Sequence, residues 1–77
     1  MVLHHFDLVT LKKPLPGADV PVGAEGTIIR VFGWMNPIVY DVVFHDANHK
    51  SLGAFHVWGD EGLALKRSPL QELKDRK

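Results

Sequence analysis

Val22-Gly23-Ala24-Glu25-Gly26-Thr27-Ile28-Ile29-Arg30-Val31-Phe32-Gly33 is the stretch that decides the fold of this 77-residue chain. Gly23 and Gly26 can take φ > 0 at no steric cost, so the stretch opens as a tight turn. The run that follows is mostly β-branched or aromatic, with Arg30 its only charge, which is strand chemistry. Its apolar residues occupy both parities, Ile28 and Phe32 on one and Ile29 and Val31 on the other. Such a strand is either covered on both faces or swaps faces through a bulge. A chain too small for two cores favours the bulge.

The flanking sequence is β-prone as well. Residues 6–12 form a strand candidate with Val9 and Leu11 inward and Asp7 just ahead of it. Residues 13–21 hold three prolines and Gly17, which makes them a long ordered loop punctuated by Leu15 and Val20. After the central run, residues 33–38 make a second loop with turn chemistry at Asn36-Pro37. In residues 39–45, Tyr40, Val42 and Phe44 alternate with Asp41, Val43 and His45, as in a half-buried antiparallel strand. Residues 46–50 are a polar hairpin turn in which Asn48 suits the left-handed conformation. Residues 51–57 are a fourth strand with a bend at Gly53. Residues 58–62 resemble one helical turn between two glycines, and 63–65 a short closing strand.

The C-terminus changes character. Ser68-Pro69-Leu70-Gln71 has an N-cap serine, proline at the first helical position and glutamine three residues on, a capping-box start. Leu70 and Leu73 share one face of that helix, and Glu72 stands four residues before Arg76. So short a helix forms only if its leucines dock. The pattern predicts an all-β fold: a small five-stranded SH3-like barrel over residues 1–66, and a tail over 67–77 that forms a short helix.

Composition narrows the function classes. A domain of this size buries only roughly 60% of its unfolded surface, and small scaffolds often add staples or a partner chain. With no cysteine there is no disulfide, which fits a reducing cytoplasm. No apolar run is long enough to span a bilayer, and residues 1–6 lack the basic and apolar regions of a signal peptide. Residues 1–65 carry seven acidic and four basic groups, whereas residues 66–77 carry five basic and two acidic ones. An acidic body is a poor phosphate-binding surface, which argues against nucleic acid.

Three short motifs carry a resemblance. Asp7-Leu8-Val9-Thr10-Leu11, then Gly23-x-x-Gly26-Thr27-Ile28-Ile29-x-Val31, then Tyr40-x-Val42-x-Phe44 resemble an uncharacterised family of small bacterial domains with an SH3-like barrel. The middle motif is similar to the KOW-type barrel element. The resemblance spans roughly residues 6–66. The chain departs from it at residues 33–38, where the loop is longer, and in the added tail. It implies a fold and no activity. KOW-like domains often bind RNA or ribosomal partners, but the basic surface for that is missing here.

No residue set amounts to a catalytic signature, and no cofactor is implied. His45-x-x-x-His49 has the spacing of a metal pair, with His56 a third candidate across the hairpin, but the pair spans a strand end and a turn. His4 and His5 beside Asp7 invite a His–carboxylate reading, against which stands a mobile N-terminus. Ser51 and Ser68 lie in no strand–turn–helix elbow. Gly23-x-x-Gly26 opens a strand rather than a helix, so it is no phosphate cradle. Asp60 and Glu61, adjacent in a turn, point apart.

The aromatics point to contact. On such a barrel, grooves lie between the long first loop, the loop after the second strand and the turn before the last. Those positions carry Pro14 and Pro16, Trp34 and Trp58, and tryptophan is enriched at binding hot spots. The candidate partner-binding residues are therefore Trp34, Met35, Tyr40 and Trp58, with Leu70 and Leu73 of the tail. The expected function is a non-enzymatic module for protein contact, with itself or another protein. Two other classes stay open. One is a ligand-binding or enzymatic homo-oligomer, as in the plasmid-borne dihydrofolate reductase built from such barrels, whose pore-strand residues are absent here. The other is weak nucleic-acid binding through Arg30, Lys66, Arg67 and the tail.

Overall fold

Each β-prone run of the sequence forms a strand. The computed structural model describes residues 3–74. Among them are β1 (Leu8–Leu11), β2 (Glu25–Phe32), β3 (Val39–His45), β4 (Ser51–Trp58) and β5 (Leu63–Arg67), followed by α1 (Pro69–Lys74). The strands form one antiparallel sheet in the order β4-β3-β2-β1-β5. This order, with a long β1–β2 loop, is that of a small SH3-like barrel.

β2 is the strand that both halves of the sheet share. Its first residues pair with β1, Gly26 opposite Val9, while its whole length pairs with β3. Between Ile28 and Arg30 the register with β3 slips, leaving Ile29 as the extra residue, 40% exposed. That is the face change expected of a strand with apolar residues on both parities. Before the slip Gly26 and Ile28 are buried, and after it Val31 stands opposite buried Tyr40.

One core results. Val9, Leu11, Ile28, Val42, Phe44 and Leu63 are buried in it, joined by Val20 from the long loop and by Leu15, which packs against it. Burying each such side chain stabilises by about 1.5–3 kcal/mol. The core also contains Leu3, which is 1% exposed and whose backbone N–H meets the Tyr40 hydroxyl at 3.3 Å. Leu3 is therefore packed in the core, and the exposed residues His4, His5 and Phe6 lead from it to Asp7. Their turn is closed by the Asp7 N–H on the His4 carbonyl, and the Phe6 N–H donates to Ile28.

The two glycines of the central stretch have different reasons. Gly23 has φ 96°, as its turn requires. Gly26 needs no positive φ. A Cβ there would lie 2.6 Å from Val42 Cγ1 and 2.9 Å from Phe44 Cδ1, so the gap exists for its neighbours. Gly53, with φ 112°, marks the expected bend in β4, where the pairing with β3 slips between Phe44 and His45.

Three local expectations are corrected. In the β3–β4 turn the left-handed residue is His49 (φ 63°), not Asn48. Asp46 Oδ1 accepts the N–H groups of both Asn48 and Lys50, which places the reversal one residue later. Residues 58–62 are not a helical turn, because Trp58 completes β4 and Gly59 takes φ 77°. Finally, Leu70 and Leu73 do not dock on the barrel; they are 39% and 59% exposed.

Helix α1 is instead held at its start. The Ser68 carbonyl accepts the Glu72 N–H, and the Ser68 hydroxyl donates to Asp7. Arg67 donates to both Glu72 oxygens at 3.0 Å, whereas Arg76, the expected partner, lies outside the described residues. No helix among the described residues is long and apolar enough to cross a membrane.

Candidate functional site

Side chains alternate across a strand, so the residues between the inward ones form an outer face on β2, β3 and β4. The register places Phe32, Val39 and Trp58 in one row across that face. The next row is Arg30, Asp41 and His56. The first row is apolar and the second is polar, and the contacts between them build the site.

Phe32 is its centre. The Trp34 ring meets Phe32 edge-on at 5.3 Å, the His56 ring meets it edge-on at 5.9 Å, and the Arg30 guanidinium stands 5.9 Å from its centroid. His56 is steered by Asp41, whose Oδ1 lies 2.7 Å from Nε2. Val39 is only 3% exposed although it lies on the outer face, so its neighbours cover it. Phe32, Met35, Val39, His56 and Trp58 line a depression of about 260 Å³. Trp34 remains 79% exposed and Trp58 63%.

A larger groove adjoins it. Pro14, Leu15 and Pro16 of the long loop face Phe55, Val57 and Trp58 of β4 across about 500 Å³. Lys13 and Glu61 sit at its margin, paired at 3.7 Å. His56 and Trp58 line both concavities, so the two are continuous around β4. The expected convergence of the proline loop and Trp58 is present, and Trp34 and Met35 lie beyond it on the same face. Tyr40 is a correction. It points into the core at 1% exposure and offers nothing to a partner. Leu70 and Leu73 line neither concavity.

The histidines separate into two places. His45 and His49 come together, with ring centroids 5.9 Å apart, but His56 is held by Asp41 in the other group. Glu25 is the carboxylate nearest His45, at 4.0 Å, and it accepts a hydrogen bond from Lys66. That bond and the Lys66 charge hold the Glu25 carboxyl below its ordinary range, against a smaller opposition from desolvation and with still smaller help from His45 and His49. Among the described residues, no group of three or more metal-ligating side chains is arranged to hold an ion.

Asp7, His4 and Ser68 do meet, but not as a relay. Asp7 Oδ1 accepts the Ser68 hydroxyl at 2.6 Å and Oδ2 accepts the His4 backbone N–H at 2.8 Å, while His4 Nδ1 is 3.9 Å away. Nucleophilic activation places the imidazole between hydroxyl and carboxylate. Here the carboxylate lies between the other two, and its role is to fasten the segment before β1 to the start of α1. Two of the candidate cations are engaged as well. Lys66 holds Glu25, and Arg67 holds Glu72, whose bond and charge raise the guanidinium further. No protein-family model matches this chain, and neither a curated protein nor a solved structure was found to match it.

Proposed function

We propose that this protein is a non-enzymatic binding module that works through protein–protein contact at the face carrying Trp34 and Trp58. The observation that carries this reading is the exposure of both tryptophans, 79% and 63%, beside two joined concavities, the smaller of which is almost wholly apolar. A chain with so small a core gains by burying its largest side chains. Leaving both outside is costly in a monomer and useful at an interface, where tryptophan and arginine anchor partners. Arg30, stacked beside Phe32, completes that chemistry.

The pairing of Lys66 and Arg67 with carboxylates supports a protein partner over a nucleic acid, since phosphate affinity needs clustered free cations. We place the chain with the small bacterial SH3-like domains that its motifs resemble, and in the cytoplasm, on the strength of its cysteine-free composition. The test is affinity capture with wild-type bait and with a Trp34→Ala/Trp58→Ala double variant, read by quantitative mass spectrometry. Proteins held by the first and lost by the second are the expected result. Equal recovery by both baits overturns the reading.

A further inference from the structure

The two edges of the sheet are built differently. β5, at one edge, is five residues long and carries Lys66 and Arg67, and long charged side chains guard an edge against pairing. β4, at the other edge, is eight residues long and contains no lysine, arginine, aspartate, glutamate or proline. A bulge at its start, where the β3 register slips, disturbs only the Ser51–Gly53 end. Among the described residues, the only backbone pairing of β4 is with β3. From Ala54 to Trp58 the far side of the strand is an unguarded template.

What surrounds that edge suits a second copy of the same chain. The two concavities lie on both sides of β4 and join through His56 and Trp58, so an added strand covers both. The patch is also charge-balanced in itself. Lys13 is paired with Glu61, and Asp41 stands in register between Arg30 and His56. A two-fold axis sets a patch against a copy of itself, so a patch of one net sign would repel its mate. Here the balanced groups leave no such repulsion.

The dimensions agree. A standard interface takes about 800 Å² from each partner, about one-seventh of the 5341 Å² surface of this chain. The five unguarded residues span about 17 Å, so the pairing reaches that area by covering the flanking concavities on both sides of β4 as well.

We infer that two copies pair antiparallel along β4, joining their sheets into one of ten strands and covering Trp58 and the adjoining groove. This rests on the protein-contact reading and names its partner. Backbone hydrogen bonds supply the attraction, and the alternating side chains Ala54, His56 and Trp58 of one copy lie against the same set on the other, in reversed order, on the outer face.

The experiment is light scattering on wild type, Ala54→Lys and Leu65→Lys, with circular dichroism as the check on folding. Ala54 and Leu65 are both exposed, one on each edge strand, so neither lysine disturbs the core. Wild type is expected at twice the 8.6 kDa chain mass, Ala54→Lys at the single-chain mass and Leu65→Lys still at twice. Amide exchange of residues 54–58 should slow as concentration rises. A wild type that stays monomeric overturns the pairing, as does a dimer that survives Ala54→Lys or is lost in Leu65→Lys. A monomer that still captures partners through Trp34 and Trp58 removes the pairing and keeps the protein-contact reading. Loss of both removes that reading too.

Discussion

Ser68 Oγ donates to Asp7 Oδ1 at 2.6 Å, joining residues 61 positions apart in the chain. The carboxylate is 1% exposed, and its other oxygen accepts the His4 N–H. A buried carboxylate needs its donors, and a hydrogen bond to a charged group contributes about 1.5–3 kcal/mol. Ser68→Ala should therefore lower unfolding stability by about 1–3 kcal/mol in urea titration. Asp7→Ala should cost at least as much, because it strands the His4 N–H as well. The double variant should lose less than the two single losses together, with a coupling of about 0.5–3 kcal/mol. Strict additivity would show that the bond contributes nothing.

Gly26→Ala should destabilise by about 1–3 kcal/mol through overpacking, since its Cβ would press on Val42 and Phe44. Gly33→Ala is the matched control, because nothing lies within 4 Å of a Cβ there. Thermal melting of the pair separates the two cases. Equal melting temperatures would mean that Val42 and Phe44 can move aside.

Trp34→Ala should change stability by less than about 1 kcal/mol, the usual range for an exposed aromatic pair. Phe44→Ala, at 0% exposure, should cost about 3–5 kcal/mol. The contrast, read by denaturant unfolding, distinguishes a residue kept for contact from one kept for packing. A loss at Trp34 as large as that at Phe44 would make it a core residue in solution.

The Glu25–Lys66 pair gives a pH dependence of known sign. The folded state holds the Glu25 carboxyl below its ordinary value of 4.5, so folding favours the ionised form. The stabilisation is complete above pH 4.5 and is lost as pH falls through the lowered value. Glu25→Gln should thus melt slightly below wild type at neutral pH and match it in strong acid. The pair is half-exposed, so the difference is small and shrinks with added salt. A gap that widens on acidification would contradict the assignment.

Much of the fold is legible in residue order. Tyr40, Val42 and Phe44 alternate so plainly that the bounds of β3 follow from them, and the mixed parity of residues 28–32 announces the bulge at Ile29. The candidate site is legible only in part. Trp34 and Trp58 stand out as large residues in loop-like sequence. Their convergence with Phe32, His56 and the proline loop depends on a cross-strand register shifted by one bulge, which local pattern does not specify. Tyr40 was misplaced for a related reason. An aromatic with a polar tip suits either a surface or a core, and the Leu3 N–H that meets its hydroxyl belongs to a segment 37 residues away. Leu3 in the core depends likewise on partners that only the folded chain brings near, whereas His49 takes its place in the turn through Asp46, three residues before it.

The shared fastening at Asp7 has a consequence for how this domain can be built into longer polypeptides. His4 and Ser68 are held by two oxygens of one carboxylate, so the chain enters and leaves the barrel at a single point. Domains with neighbouring ends insert into a host loop without prying it apart, and they tolerate rearranged connectivity. A circular permutant opened between Ala47 and Asn48, with a flexible linker spanning the length of α1 back to the first turn, cuts no strand and should therefore retain the strand pairings of the sheet.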